Sequence, residues 1–212
     1  MAIYDLEEQE KIDGLKTWWE AYGTLMIVVV ATFIASIAGV QAWKYYQRQQ
    51  VEQAAELYAS LRQVEAGGDS KKISDAADLL MQGFPGSGYA SRAALISAHA
   101  SFEGGDIQSA KSRLQWALDN TSEDELKDLV RLRLAGILLD ERKYDDALRL
   151  LETKHGESFN GLYADLKGDV LTAAGKVAEA RAAYQLALDK LGKKGTYHNI
   201  VQMKLDALAE AK

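Results

Sequence analysis

Hydrophobic and polar positions divide the chain into one uninterrupted apolar stretch and a long region with helical periodicity. Residues 21–43 carry no charged side chain, whereas charged residues recur through the rest of the chain. Backbone N–H and C=O groups find no water inside a bilayer, so an apolar stretch of this length is predicted to be helical. From Tyr22 to Trp43 the helix rises roughly 32 Å at about 1.5 Å per residue, enough to cross a hydrocarbon core of about 30 Å. The pattern predicts a membrane helix over residues 21–43, after a short acidic segment at residues 1–20.

Aromatic residues lie at both ends of this stretch, and such rings prefer the headgroup level of a membrane. They are Trp18, Trp19 and Tyr22 on one side, and Trp43, Tyr45 and Tyr46 on the other. The alternative is a cleaved signal peptide with a small-x-small site at Ser36-Ile37-Ala38. A signal peptide begins with a positive segment, whereas residues 1–20 contain six acidic and two basic residues. The apolar stretch also continues beyond that site, which favours a retained anchor.

The membrane segment has a candidate packing face but no clear orientation. Ala31, Ala35 and Gly39 recur every four residues, and small residues at this spacing let a second helix approach closely. The alternative is that Ala and Gly are simply common in membrane helices. Two basic residues, Lys11 and Lys16, precede the segment, and Lys44 and Arg48 follow it. The positive-inside rule therefore gives a tie, and charge alone leaves the side of the large domain open.

Beyond residue 43 a short pattern recurs about every 34 residues. Each copy has a polar residue, an apolar residue, two mostly polar residues and then an alanine, at Ala76, Ala110, Ala147 and Ala180. A large residue follows four positions later, and three copies have a small residue twelve positions earlier: Ala98, Ala135 and Gly168. Small residues at fixed offsets allow two antiparallel helices to pack closely. A period near 34 with this pattern resembles the tetratricopeptide repeat.

We therefore predict an all-α fold: a single N-terminal transmembrane helix followed by a tetratricopeptide-like α-solenoid with a C-terminal capping helix. The repeat domain covers residues 44–212, with helix pairs near 51–84, 89–120, 123–155 and 160–191 and a cap at 196–211. Within the third pair the helices are expected at 123–141 and 144–154. Ser122 and Glu125 predict a capping box at the start of the former. The apolar face expected to pack the cap onto the solenoid comprises Tyr197, Ile200, Val201, Leu205 and Leu208.

Composition and motifs point away from catalysis and from nucleic-acid binding. The net charge is −6, and no cysteine is present to form a disulfide, a thiol nucleophile or a thiolate metal site. The histidines His99, His155 and His198 lie far apart in the sequence and lack metal-binding spacing. No phosphate-binding loop or nucleophile motif occurs. We expect no catalytic residues, no cofactor and no metal, and we do not expect an enzyme.

The first helix of each pair is expected to line the concave face of the solenoid, where such proteins bind their partners. The fourth pair turns polar there, with Asp165, Asp169 and Thr172. The apolar part would suit an apolar peptide. The alternative is that several of its leucines belong to the core, because the register is uncertain by a residue or two. The candidate groove residues are Tyr58, Leu61, Arg92, Leu95, His99, Phe102, Leu129, Leu132 and Leu139.

The chain as a whole resembles the ancillary subunits of the bacterial SecYEG translocon (YfgM-like proteins). The resemblance begins with an acidic N-terminus opening Ile3-Tyr4 and an early apolar segment that ends in Trp43-Lys44-Tyr45-Tyr46. It continues through segments of the repeat domain, namely Leu132-Arg133-Leu134-Ala135, Ala164-Asp165-Leu166-Lys167-Gly168-Asp169 and Gln202-Met203-Lys204-Leu205.

This resemblance implies a bacterial inner-membrane protein with a cytoplasmic N-terminus and a periplasmic repeat domain. It implies association with SecYEG and with a membrane-anchored periplasmic chaperone of the prolyl-isomerase type. The expected function is a non-enzymatic scaffold that assists secreted and envelope proteins after translocation. Two alternatives remain: a holdase-type chaperone that binds unfolded secretory proteins directly, and an envelope or cell-division scaffold not tied to the translocon.

Overall fold

The computed structural model describes residues 3–192 and 195–210, and it confirms the all-α prediction. Within those ranges no strand occurs. The chain divides into two compact units, Met1–Glu52 and Gln53–Lys212. The helices are α1 (Ile3–Ala66), α2 (Ser70–Gly83), α3 (Gly88–Glu103), α4 (Ile107–Asn120), α5 (Asp124–Asp140), α6 (Tyr144–Leu151), α7 (Asn160–Ala173), α8 (Val177–Lys190) and α9 (Thr196–Glu210), with a short 3-10 turn at Glu157–Phe159 before α7.

In the first unit, α1 contains the apolar segment and is long and apolar enough to cross a membrane. Two hydroxyl side chains of this segment, those of Thr32 and Ser36, are satisfied within the helix, as a lipid environment requires. Thr32 donates to the carbonyl oxygen of Val28 at 2.7 Å, and Ser36 donates to that of Thr32 at 2.8 Å. The limits 21–43 of the membrane segment remain a prediction.

In the second unit, consecutive helices pack against one another, and each even-numbered helix buries one stripe. Counted from its N-cap residue, α4 buries the residues at positions 4, 8 and 11, which are Ala110, Leu114 and Ala117. The same positions are buried in α8 as Ala180, Tyr184 and Ala187. In α2 they are Ile73, Ala77 and Leu80. This stripe faces the odd-numbered helices on either side and forms the core.

The buried stripe corrects the predicted alignment of the first repeat. Ile73, and not Ala76, is the counterpart of Ala110, since it occupies the same position after the N-cap and is buried. Ala76 is only partly buried. The sequence comparison failed here because the first repeat exchanges the sizes of its core residues. It has a large residue where the others have alanine, and alanine where the others have leucine or tyrosine.

One turn joins the two helices of each pair. Each of these four turns contains one residue whose backbone lies in the left-handed region, with a positive φ. Three of these residues are glycines, with φ of 71° at Gly68, 80° at Gly105 and 76° at Gly175. The fourth is Arg142, with φ of 61°. A left-handed residue therefore recurs at the equivalent position of all four turns, although the third turn lacks the glycine that marks it in the sequence.

The third pair differs from its prediction at two helix ends. Helix α6 ends at Leu151 and not at residue 154, because the residues that follow it are bound to α5 and α7. The Gly156 N–H donates to Asp128 Oδ2 at 2.8 Å, and the His155 ring stacks on Tyr163 at 3.9 Å between ring centroids. The capping box of Ser122 and Glu125 is wrong, since the N-cap is Glu123 and no side chain caps the helix.

The last helix, α9, packs on α8 and extends the row of odd-numbered helices. Val201 and Leu208 are buried there, and Leu205 is partly buried against the same cluster. Tyr197 and Ile200 were expected on this buried face but keep 39% and 37% of their surface exposed. The predicted end of the cap, residue 211, lies outside the described residues.

Candidate partner-binding face

The odd-numbered helices bury two of their faces and leave a third accessible. In α3, Ala90, Ala93 and Ala100 belong to the cluster that contains the α2 stripe, while Ala94 and Ala98 belong to the cluster that contains the α4 stripe. The remaining face carries Arg92, Leu95, His99 and Phe102, which are half-buried or exposed. The predicted candidates on α3 therefore all lie on one accessible face.

The same burial pattern locates this face on the other odd-numbered helices. Ala135 in α5 and Gly168 in α7 are buried at the position equivalent to Ala98 in α3. In α9, Val201 and Leu208 are buried against the preceding helix, as Tyr163 and Val170 are in α7. We use the name groove face for the third face of these helices. Its members are Tyr58 on α1; Arg92, Leu95, His99 and Phe102 on α3; Leu129, Leu132, Gly136 and Leu139 on α5; Leu162, Asp165, Asp169 and Thr172 on α7; and Ile200, Met203 and Ala207 on α9.

Leu61 does not belong to this face. It is fully buried in the cluster that contains Ile73, Ala77 and Leu80, at the position equivalent to Ala98. The error has the same origin as the misplaced Ala76. The first repeat is 37 residues from the second and not 34, because the N-cap residues are Asp69 and Asp106. A shift of three residues exchanges a core position for a groove position on a helix.

At the end formed by α1, α3 and the start of α5, the face is bordered by aromatic and paired charged groups. The rings of Tyr58 and Tyr89 lie 5.3 Å apart between centroids. Arg92 donates to both carboxylate oxygens of Glu123, at 2.8 Å and 2.7 Å. This hydrogen bonding raises the pKa of Arg92 and lowers that of Glu123. The pair ties α3 to the start of α5 and leaves its charges neutralised.

From α5 to α9 the face carries an apolar stripe, of which only the part on α5 was predicted from the sequence. Leu129 and Leu162 are half-buried, and Ile200 and Met203 are exposed. Leu162 was missed because the fourth pair was judged by its aspartates. Ile200 and Met203 were missed because α9 was treated only as a cap. The spacing between Val201 and Leu208, which matches that of Tyr163 and Val170, is the signal that could have revealed them.

A second depression lies between the even-numbered helices α4 and α6, with Leu134 and Leu138 of α5 among its lining residues. Its volume is about 780 Å³. Its walls include Lys111, which pairs with Glu141 at 2.7 Å, and Arg149, which pairs with Asp146. Since paired charges line both walls here, the apolar groove face is the better candidate for binding an apolar partner.

The proposed packing residues of the membrane segment, Ala31, Ala35 and Gly39, are exposed on α1 in the first unit. No heavy atom outside the helix backbone lies within 4 Å of the position that a Cβ would take at Gly39. Their role in helix packing stays a prediction. Over the described residues no group of His, Cys, Asp and Glu has the arrangement of a metal site.

The fold and this face define a class of protein: a solenoid of helix pairs, preceded by a helix of membrane-spanning length. The tetratricopeptide repeat-like domain family matches residues 16–210. A protein of Neisseria gonorrhoeae, "Ancillary SecYEG translocon subunit", is 31% identical over 207 residues, 96% of this chain and 98% of its own length. Proteins with the same name are 31% identical in Haemophilus influenzae, covering 87% and 90% of the two chains, and 27% identical in Escherichia coli K12, covering 99% and 100%.

The chain therefore belongs to the tetratricopeptide repeat-like family of ancillary SecYEG translocon subunits. This confirms the resemblance seen in the sequence. No solved structure matches the chain.

Proposed function

We propose that this protein is a membrane-anchored, non-enzymatic adaptor that associates with the SecYEG translocon and holds a periplasmic chaperone close to it. The names of its relatives support the association with SecYEG. The observation that carries the adaptor role is the groove face, which leaves leucine, isoleucine and methionine accessible on successive odd-numbered helices. The partner is a membrane-anchored chaperone of the prolyl-isomerase type, and the complex assists secreted and envelope proteins after translocation.

The groove face is suited to the apolar side of a partner helix. Backbone groups of the helices that form it are used in helical hydrogen bonds, so it offers no strand edge to which an extended peptide could add. From Leu129 to Met203 it also lacks the amide side chains that would bind an extended backbone in their place. A partner helix satisfies its own backbone and buries its apolar residues in the stripe.

The decisive experiment replaces exposed or half-buried groove residues and compares them with matched positions elsewhere. Phe102→Glu and Leu129→Glu place a charge on the groove face. Leu79→Glu on α2 and Leu186→Glu on α8 place the same charge on even-numbered helices, where the side chains are 61% and 49% exposed. Each full-length variant is cross-linked in membranes, and its folding is checked by the midpoint of thermal unfolding.

We expect the groove variants to lose the cross-link to the chaperone, while the variants on α2 and α8 retain it. Retention by all four folded variants would exclude the groove face as the docking site. Cross-links to cell-wall or division proteins in place of SecYEG would support the envelope scaffold.

The membrane segment would dock beside SecYEG through Ala31, Ala35 and Gly39, with the N-terminus in the cytoplasm and the repeat domain in the periplasm. Ala35→Leu fills the proposed packing face, and Val29→Leu, which also introduces a leucine but on another face of the helix, is the control. Loss of the SecYEG cross-link only in the former supports this face. A protease added to spheroplasts should digest a C-terminal tag without rupture of the inner membrane; protection of the tag would contradict the orientation.

A holdase that binds unfolded secretory proteins is the second candidate, and the 63% exposure of Met203 favours it. Methionine is flexible and suits surfaces that accept varied apolar sequences. The purified full-length protein in nanodiscs should then delay aggregation of an unfolded substrate at comparable molar ratios. Absence of any delay would remove this candidate and leave the adaptor role unaffected.

A further inference from the structure

A cluster of hydrogen-bonded polar groups joins α7, α8 and α9, and within it Asp165 and Tyr184 are buried while Lys204 and Asp169 are half-buried. Lys204 Nζ lies 2.9 Å from Asp165 Oδ1 and 2.8 Å from Asp169 Oδ2. The Tyr197 hydroxyl donates to Asp165 at 2.6 Å, and the Tyr184 hydroxyl donates to Asp169 at 2.8 Å. Asp165 is only 3% exposed. Burial alone would lower the pKa of Lys204, but its hydrogen bonds to Asp169 and Asp165 raise it above its usual range.

The position of the two aspartates makes this cluster unusual for the fold. Asp165 and Asp169 occupy groove-face positions that hold Leu132 and Gly136 in α5. Here α9 covers Asp165 and supplies Lys204, which directly follows Met203 of the apolar stripe in the sequence. Buried ion pairs add little net stability compared with apolar packing, but an ammonium group displaced from its carboxylates leaves buried charges unpaired. Such a cluster selects one arrangement of the helix that carries it.

The other contacts of α9 select its arrangement less strictly. Its other contacts are one hydrogen bond, from Arg181 to the carbonyl oxygen of Leu208 at 3.2 Å, and the apolar contacts of Val201, Leu205 and Leu208, which recur at helical spacing. Apolar contacts do not depend on direction, and a row of them tolerates a rotation or a shift along the neighbouring helix. The ammonium between two carboxylates does not tolerate such a shift.

We infer that Lys204, Asp165 and Asp169 are positioning residues for partner binding: they hold α9 so that Ile200 and Met203 continue the apolar stripe of Leu129 and Leu162. The use of the stripe by a partner rests on the proposed function. The alignment itself is a property of the protein alone. The polar positions of α7, which the sequence suggested would interrupt the groove, are thus the means by which it extends to α9.

Two variants separate positioning from stability. Lys204→Met alone leaves two carboxylates without their cation and should destabilise the domain. In the triple variant Lys204→Met, Asp165→Asn and Asp169→Asn the charges are removed together, which in buried clusters is often neutral for stability. If the cluster positions α9, the triple variant should unfold at nearly the wild-type temperature while α9 loses its fixed place.

The place of α9 can be measured by the distance between two spin labels, since the chain has no native cysteine. Ala207→Cys on α9 and Asp140→Cys on α5 are both exposed. We expect a single narrow distance distribution in the otherwise unchanged full-length protein and a broad one in the triple variant. A narrow, unshifted distribution in a stable triple variant would overturn the inference.

Partner affinity provides the second readout. We expect the triple variant to bind the chaperone about tenfold more weakly than the unchanged protein. Arg113→Met with Asp78→Asn removes another ion pair, between α4 and α2, and should leave affinity unchanged. Equal affinity of a stable triple variant would contradict the inference. If the unchanged protein binds no chaperone, the proposed function fails, and the spin-label distance still decides the positioning role.

Discussion

The groove face has leucine and glycine on α5 at the positions where α7 has two aspartates. Leu132 and Gly136 are half-buried and remain accessible, whereas Asp165 is buried beneath α9 and paired with Lys204. The pair of α5 and α6 is followed by another complete pair, α7 and α8. The pair of α7 and α8 is followed by the single helix α9. The residue types on the groove face therefore depend on the helix that packs beside them and not only on a partner that binds there.

This difference shows how a repeat protein can fix the helix at the end of its row. An internal odd-numbered helix is held between two even-numbered helices. Helix α9 packs against α8 and is bonded to α7 through Lys204 and Tyr197, and the side that would face a next helix carries Asn199, Gln202 and Asp206, with Gln202 donating to Asp206 at 2.8 Å. This polar side is typical of a solenoid cap. With fewer apolar contacts, the cap relies on directional polar bonds for its alignment.

Among the substitutions that test this comparison, we expect the largest change in stability from one at Gly168, where α7 contacts Tyr184 of α8. A Cβ at Gly168 would lie 2.4 Å from a carbon of the Tyr184 ring, whose hydroxyl is held by Asp169. Overpacking of this kind costs about 1–3 kcal/mol. We predict that Gly168→Ala lowers the free energy of unfolding by this amount, as measured by urea denaturation followed by circular dichroism.

Gly136→Ala on α5 is the matched control, since no heavy atom outside its own helix lies within 4 Å of the new Cβ. It should raise the free energy of unfolding by about 0.5–1 kcal/mol, because alanine favours a helix over glycine. Opposite signs for the two variants would support a close contact specific to α7 and α8. A neutral Gly168→Ala would show that the tyrosine ring moves aside and that the hydrogen bond from its hydroxyl does not hold it.

The sequence predicted the helix pairs well because their signals are local and repeated. The capping aspartates Asp69 and Asp106, the glycines of the turns and the periodic alanines each mark a helix end or a core stripe. The register of the first pair could not be obtained in this way. Ile73, Ala77 and Leu80 fill the same core space as Ala110, Leu114 and Ala117, and only the packing shows that the sizes are exchanged.

The groove residues were harder to predict than the helices for the same physical reason. A shift of three residues moves a side chain from the groove to the core, as it did for Leu61. The aspartates of α7 appeared to end the apolar face, because the lysine that pairs with them is 39 residues away from Asp165 on α9. Pairing over such a distance has no local signal in the sequence.

The next effect in size concerns the turn between α5 and α6, which has Arg142 where the other pairs have glycine. A residue with a Cβ in the left-handed region costs about 1 kcal/mol. We predict that Arg142→Gly raises the free energy of unfolding by somewhat less, about 0.5 kcal/mol, because glycine also makes the unfolded chain more flexible. Gly175→Ala in the last pair should lower it by about 1 kcal/mol, and a stabilising Gly175→Ala would contradict the equivalence of the turns.

The smallest effect contrasts the exposed ion pair of Arg92 and Glu123 with the buried cluster of Lys204. The side chains of Arg92 and Glu123 are 42% and 41% exposed, so solvent screens the pair and Glu123→Gln should cost at most about 0.5 kcal/mol at pH 7. The hydrogen bonds from Arg92 hold the pKa of Glu123 below its usual range. A lowered carboxylate pKa stabilises the fold above the unfolded-state value of about 4.3, and this contribution is lost as the pH falls through the folded-state pKa. The difference in unfolding free energy between Glu123→Gln and the unchanged protein should therefore shrink as the pH falls below the unfolded-state pKa and vanish once Glu123 is protonated in the folded protein. A difference that does not shrink on acidification would mean that the side chain acts through packing and not through its charge.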